Sequence, residues 1–216
     1  MHKIIQTLVQ IVFLALFIAL IALDLMQMWL GVFALALLSA LLFSRFYCGW
    51  LCPINTIMKA VEYLRKTFRI PRFSTPNFLK RNSIRYSFLG VFVVAFLFVI
   101  VTGRQIPVLP GLLILGALVT LLFEDMLFHR YLCPYGTLLK ALSKKSKRAM
   151  IIDEETCTNC GLCKKSCPTE AIEKLKHAHH IHIDECLVCH NCSRVCPVDA
   201  IRYQSSKSSI SINTQR

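Results

Sequence analysis

Two runs near the end of the chain decide its reading: Cys157-Thr-Asn-Cys160-Gly-Leu-Cys163-Lys-Lys-Ser-Cys167-Pro168 and Cys186-Leu-Val-Cys189-His-Asn-Cys192-Ser-Arg-Val-Cys196-Pro197. Each reads C-x2-C-x2-C-x3-C-P, and the second begins 29 residues after the first. Thiolates at this spacing ligate a [4Fe–4S] cluster, and in two-cluster proteins the fourth Cys of each run serves the other cluster. One cluster is expected on Cys157, Cys160, Cys163 and Cys196, the other on Cys186, Cys189, Cys192 and Cys167. Paired zinc sites are the blander reading. A third Cys two residues on, and a fourth before Pro, favour iron–sulfur. Cysteines arranged for metal rather than for disulfides also suit a reducing compartment.

The two runs lie in a duplicated frame. Ile152-Asp153 and Ile183-Asp184 precede them, and Ala171-Ile172 and Ala200-Ile201 follow. Each half reads as strand, cysteine loop, short helix, strand, with Pro168 and Pro197 suited to the first turn of the short helix. The expectation is a small α+β two-cluster bacterial ferredoxin-like domain over 149–204, then a polar tail over 205–216. His177, His179, His180 and His182, between the runs, read as a solvated hairpin. His190 either tunes the second cluster or is simply exposed.

Upstream the composition changes. The chain has 216 residues, 55% of them hydrophobic, and the apolar ones are concentrated before position 130. Apolar stretches run from Ile4 to Leu23, Met28 to Phe46, Tyr86 to Thr102 and Val108 to Phe128. A bilayer core takes about 20 helical residues. Residues 1–148 are therefore expected to form a membrane all-α domain of four transmembrane helices, with a turn near Asp24–Gln27. No small-x-small site precedes Asp24 and a second apolar run follows at once, which argues against a cleaved signal peptide.

The net charge of +13 falls wholly within residues 1–148, which hold 17 Lys or Arg against four acids. Basic clusters beside apolar spans set topology or meet anionic lipid, so no nucleic-acid partner is expected. The stretch from Arg45 to Arg85 holds nine Lys or Arg, and the loop around Asp24 holds none. That asymmetry puts the long loop in the cytoplasm. Both termini and the ferredoxin-like domain follow it there, in a bacterial inner membrane.

A second repeat has an offset of 81 residues. Cys48-Gly-Trp-Leu-Cys-Pro-Ile-Asn-Thr-Ile-Met-Lys-Ala60 aligns with His129-Arg-Tyr-Leu-Cys-Pro-Tyr-Gly-Thr-Leu-Leu-Lys-Ala141. Cys48 and Cys52 would share one helix face, as would His129 and Cys133, and Pro53 and Pro134 would end the spans. After Pro53, Ile54, Ile57, Met58, Val61 and Leu64 make an apolar stripe opposite Lys59, Glu62, Arg65 and Lys66, suited to a membrane surface. If the two hairpins pack about a pseudo-two-fold axis, Cys48, Cys52, His129 and Cys133 converge, with Asp125 placed to orient His129. Three readings stand open: unligated thiols packed at helix ends, an additional iron or iron–sulfur centre, or a transient copper-binding or thiol-redox pair. Glu124 and Asp125 are either intramembrane carboxylates or interfacial ones.

Cys48-Gly-Trp-Leu-Cys52-Pro53, Tyr131-Leu-Cys133-Pro134 and the two C-terminal runs together resemble the NapH-type membrane ferredoxins. They are also similar to the iron–sulfur halves of the nitrous oxide reductase regulator and of a copper-reducing oxidase-assembly protein. The resemblance covers roughly residues 30–200. His129 departs from the family pattern, which has Cys there. The resemblance implies electron exchange with the quinone pool and with partner redox proteins. The reading is a membrane-bound iron–sulfur electron-transfer protein. It would link quinol or a cytoplasmic donor to a partner redox subunit in an anaerobic respiratory system, as a carrier rather than an independent enzyme. The alternative is a metal-reducing assembly factor for a metalloenzyme.

Overall fold

The computed structural model describes residues 2–25, 27–102 and 108–206. The chain opens with α1 (His2–Ala22) and α2 (Gln27–Phe43), turning between them where Asp24 takes a φ of 60°. A second bend, with Ser44 at φ 59°, leads into the short α3 (Phe46–Trp50) and then α4 (Pro53–Thr67). Next come α5 (Asn82–Thr102), α6 (Val108–Leu122), the single turn α7 (Asp125–Leu127), a π turn (Phe128–Leu132) and α8 (Pro134–Ser143).

Of the four expected spans, two reach full length. α1 and α5 are long and apolar enough to cross a membrane, whereas α2 and α6 are apolar but have only 17 and 15 residues. The shortening has a cause in each case. α2 breaks at Ser44–Arg45 because Arg45 turns inward, fully buried, toward Glu185. α6 stops at Leu122 because Glu124 accepts a hydrogen bond from Thr75 and Asp125 pairs with Arg72, both away from the apolar helix. All four helices leave large apolar side chains uncovered, among them Leu8, Leu35, Val94 and Ile114. A continuous apolar jacket of this kind marks contact with something apolar.

α4 turns the first part of its stripe inward. Ile54 and Met58 are buried, and the Ile54 side chain rests where a Cβ on Gly116 of α6 would come within 3.0 Å. The amphipathic pattern is real, but α6 covers its start, while Leu64 at its far end stays exposed.

The C-terminal part holds four strands: β1 (Arg148–Ile152), β2 (Ile172–Lys174), β3 (His179–Ile181) and β4 (Ile201–Ser205). β1 pairs antiparallel with β4, matching Ile152 to Ile201, and β2 pairs antiparallel with β3, matching Ile172 to Ile181. Each repeat therefore lends a strand to the other. The duplication shows in single bonds as well: Asp153 N–H donates to the Ala200 carbonyl, and His182 N–H to that of Ala171, both at 2.8 Å. The short helices α9 (Leu162–Lys165) and α10 (Asn191–Arg194) lie inside the cysteine runs, not after them. Pro168 instead follows Cys167 in a tight turn closed by Glu170 N–H on the Cys167 carbonyl. Proline's fixed φ suits the second position of such a turn as well as a helix start. The tail beyond Ser206 lies outside the described residues.

Candidate functional site

Strand exchange gathers the eight cysteines of the two runs into two cavities. One is lined by Cys157, Cys160, Cys163 and Cys196, with Ile152, Val198 and Ile201 among its apolar walls. The other is lined by Cys167, Cys186, Cys189 and Cys192, with Met150, Ile172 and Ile181. Each cavity thus takes three thiols from one run and the fourth from the other. The loops curl inward through residues of positive φ that recur at the 29-residue offset: Asn159 and Val188, Gly161 and His190, Glu170 and Asp199. That curl aims backbone N–H groups at sulfur, with Ala171 N–H on Cys167 Sγ at 3.3 Å and Val188 N–H on Cys186 Sγ at 3.4 Å. Four soft donors, apolar walls and inward N–H dipoles fit an iron–sulfur cube. Among the described residues no three His, Cys, Asp or Glu side chains stand close enough to hold a single metal ion.

The two cavities differ in setting. Cys160 is exposed, while Cys186, Cys189 and Cys192 are buried. The second run is pressed against the helical part, where Gly49 packs so tightly that a Cβ there would lie 2.2 Å from the Leu187 carbonyl oxygen. The Gly49 carbonyl is itself held by Gln6 at 3.0 Å and Gln10 at 2.7 Å. Ser44 Oγ donates to the Ile183 carbonyl, Trp50 Nε1 to that of Val188, and Tyr203 OH to that of Phe43, each at 3.1 Å.

Glu185 anchors this interface. It is 3% exposed and meets Arg85 at 3.3 Å, Arg45 and Arg130 at 3.6 Å, and Lys140. Burial alone would raise its carboxyl, but Lys140, Arg45 and Arg85 outweigh it and hold Glu185 below the usual range. Arg45 and Arg85, counted from sequence as loop cations, are buried partners of this one acid. Glu185 was not singled out from sequence. A carboxylate next to a cluster ligand carries no local signal that three arginines await it.

The C-x3-C-P elements repeat bond for bond. Cys52 N–H reaches back five residues to the Tyr47 carbonyl at 3.0 Å, and Cys133 N–H to that of Phe128 at 2.8 Å. Both cysteines are extended, at φ −67° and −82°, and each precedes a Pro that starts a helix. Their carbonyls accept from Thr56 and Thr137 hydroxyls at 3.1 and 3.2 Å. Helix therefore ends before Cys52 and Cys133, and the expected shared helix faces do not form.

Cys48, Cys52 and Cys133 are nonetheless neighbours. Burial raises the Cys52 thiol, with Cys48 and Cys133 adding to it, and burial pushes Cys133 up to about 12, with Cys48 adding. His129 is 6% exposed and lines a cleft between the helical and cysteine-rich parts. Burial, helped by Arg45 and Lys59, lowers its proton affinity to a pKa of about 3 and keeps the imidazole neutral. Asp125 does not orient it, since Asp125 pairs with Arg72 at 3.1 Å. Lys59, Arg194 and the cluster-lining Cys167 and Cys189 share the cleft.

The histidine hairpin is only partly solvated. His182 meets Glu173 at 3.0 Å in the open, but His179 is 3% exposed and lines the Cys157 cavity. His190 lines the other, with its ring 6.1 Å from Trp50 and 6.2 Å from Tyr203.

Comparison with known proteins matches residues 141–203 to a 4Fe-4S dicluster domain, and 25–71 and 105–152 to a 4Fe-4S binding domain. The second match covers both C-x3-C-P elements. The chain is 31% identical over 66% of its length to an uncharacterized protein of Methanocaldococcus jannaschii, covering 61% of that protein. It is 27% identical over 64% of its length to the ferredoxin-type protein NapH of Haemophilus influenzae, covering 53% of it. It is 28% identical over 64% to the methylamine utilization ferredoxin-type protein MauN of Methylorubrum extorquens, covering 52%. The chain thus spans about half to three fifths of these relatives. It carries two [4Fe–4S] clusters.

Proposed function

We propose that the chain is a NapH-type ferredoxin, the family of several relatives it resembles, and that it is a membrane-bound electron carrier linking quinol or a cytoplasmic donor to a partner redox protein in an anaerobic respiratory system. The 4Fe-4S domain matches and the ferredoxin-type relatives support the electron-transfer role. The observation that carries it is the seating of one four-thiol cavity directly on the helical part, through Gly49, Trp50 and Glu185. Cys157, Cys160, Cys163 and Cys196 hold one cluster, and Cys186, Cys189, Cys192 and Cys167 the other. Bound there, each cluster supplies reversible one-electron transfer. The protein's part is to fix the clusters in order, the exposed one facing incoming partners and the buried one facing the helices.

The uncovered apolar sides of α1, α2, α5 and α6 support a four-helix membrane domain, with the shorter α2 and α6 met by local thinning of the bilayer. The basic stretch after α2 supports a cytoplasmic face for both termini and the cluster domain. Cys48, Cys52 and Cys133, with His129 at the cleft wall, are where an additional iron–sulfur centre would sit. Anaerobic purification from the membrane fraction, with iron and sulfide counts and an EPR redox titration, tests the whole. About eight irons per chain mean two clusters and a larger number a further centre. Recovery in the soluble fraction would sink the membrane assignment. The three neighbouring thiols also suit a metal-reducing assembly factor, which stoichiometric copper binding at Cys48 and Cys52 would favour.

A further inference from the structure

The two cysteine runs fold alike but are not equally able to do so unaided. At the position two residues after the first Cys, the first run has Asn159 at φ 54° and the second has Val188 at φ 53°. Asparagine enters the left-handed region readily, while for a β-branched residue it is an outlier. At the next matched position the first run has Gly161 and the second His190, again both at positive φ. The harder conformation falls to the run that is docked. Val188 is 1% exposed, its carbonyl accepts from Trp50 Nε1 at 3.1 Å, and its own N–H points at Cys186 Sγ at 3.4 Å. Trp50 is stacked on Phe46, with ring centroids 5.0 Å apart, and lies edge-on to His190. Among the described residues no hydrogen bond joins the first run, 157–167, to α1–α8.

We infer that Trp50 is a positioning residue for the second cluster: its indole N–H holds the Leu187–Val188 turn in the left-handed form that aims the Val188 N–H at Cys186 Sγ. This rests on the ligand assignment proposed above. A hydrogen bond to a cluster sulfur favours the more electron-rich, reduced state, so losing it lowers the reduction potential. The helical part thereby sets the potential of one cluster and not of the other. The spacing of the cysteines is identical in the two runs, and the difference comes from what each is docked on.

The test is an EPR-monitored redox titration of the intact, cluster-loaded protein as wild type, Trp50→Phe, and Trp50→Phe with Val188→Gly. Phenylalanine keeps a ring but lacks the N–H, and glycine takes positive φ without help. The second cluster's signal is identified as the one lost in Cys189→Ala. In Trp50→Phe its potential falls and its line shape changes, the first cluster's signal stays, and amide exchange at 187–189 quickens. Adding Val188→Gly brings the potential back toward wild type. Unchanged potentials in Trp50→Phe, equal shifts of both clusters, or no recovery with Val188→Gly would each overturn the inference. A wild type with fewer than two clusters would instead sink the ligand assignment itself, and the inference with it.

Discussion

Glu185 shows how much one side chain holds at the interface. Removing its charge leaves Arg45 and Arg85, 0% and 3% exposed, buried without a counter-ion. Breaking a buried pair from one side costs about 3–5 kcal/mol. Glu185→Gln is expected to lose stability on that order, read from denaturation midpoints of wild type and variant. Because its carboxyl is held below the usual range, the stabilisation is full above the ordinary carboxylate pKa and fades as pH falls through the lowered one, so the gap between the two proteins narrows in acid. Asp125 has the opposite sign. Burial, against the pull of Arg72, raises it to about 6. Its folded form holds the proton more tightly, so its stabilisation is full below about pH 4 and is lost as pH rises through 6. Asp125→Asn should therefore gain on wild type between pH 5 and 7.5, in paired melting curves. Arg72 stays paired through Glu62 at 2.5 Å.

The short α3 and the loop from Leu187 to Val188 work as one joint. Gly49→Ala puts a carbon 2.2 Å from the Leu187 oxygen, and neither backbone has a flexible side chain to give way. Overpacking of this kind costs about 1–3 kcal/mol. The joint loosens, and limited trypsin digestion should cut faster at Lys144, Lys145 and Lys147, between α8 and β1. Elements of this sort explain which parts of the molecule were legible beforehand. The cysteine runs are local patterns with fixed ligand spacing, so the two four-thiol sets could be written down from residue numbers alone. The apolar helices could be counted but not measured. Arg45 and Asp125 end theirs early because of partners far along the chain, Glu185 and Arg72. Periodicity in α4 identified an apolar face and was silent on whether lipid or α6 covers it. His179 read as one of four solvated histidines, because alternation in a three-residue strand is too short to show which side chain turns in.

Across the whole molecule, the lining of the two cavities predicts an unusual pattern of losses. Cys157→Ala with Cys196→Ala removes two thiols from the same cavity, although the residues lie in different runs. That protein should keep one cluster and about four irons. Cys157→Ala with Cys167→Ala takes one thiol from each cavity, although both lie in one run, and should leave almost no iron. Iron counts on the two anaerobic preparations give the reverse order if each run serves its own cavity.

The exchange of strands has a consequence for how the protein comes into being. β1 waits for β4, some fifty residues later, and the Cys157 cavity waits for Cys196. A ribosome that has released only the first run presents three thiols around an open hollow whose far wall, Val198 and Ile201, does not yet exist. By then the helices are already made and the seat at Gly49 and Trp50 is empty. Iron delivered at that moment would find no closed site. Neither metal centre can be finished before the last run emerges, so loading both is expected to be a single late step in biogenesis, with the helical part acting as the anvil on which the second run is shaped.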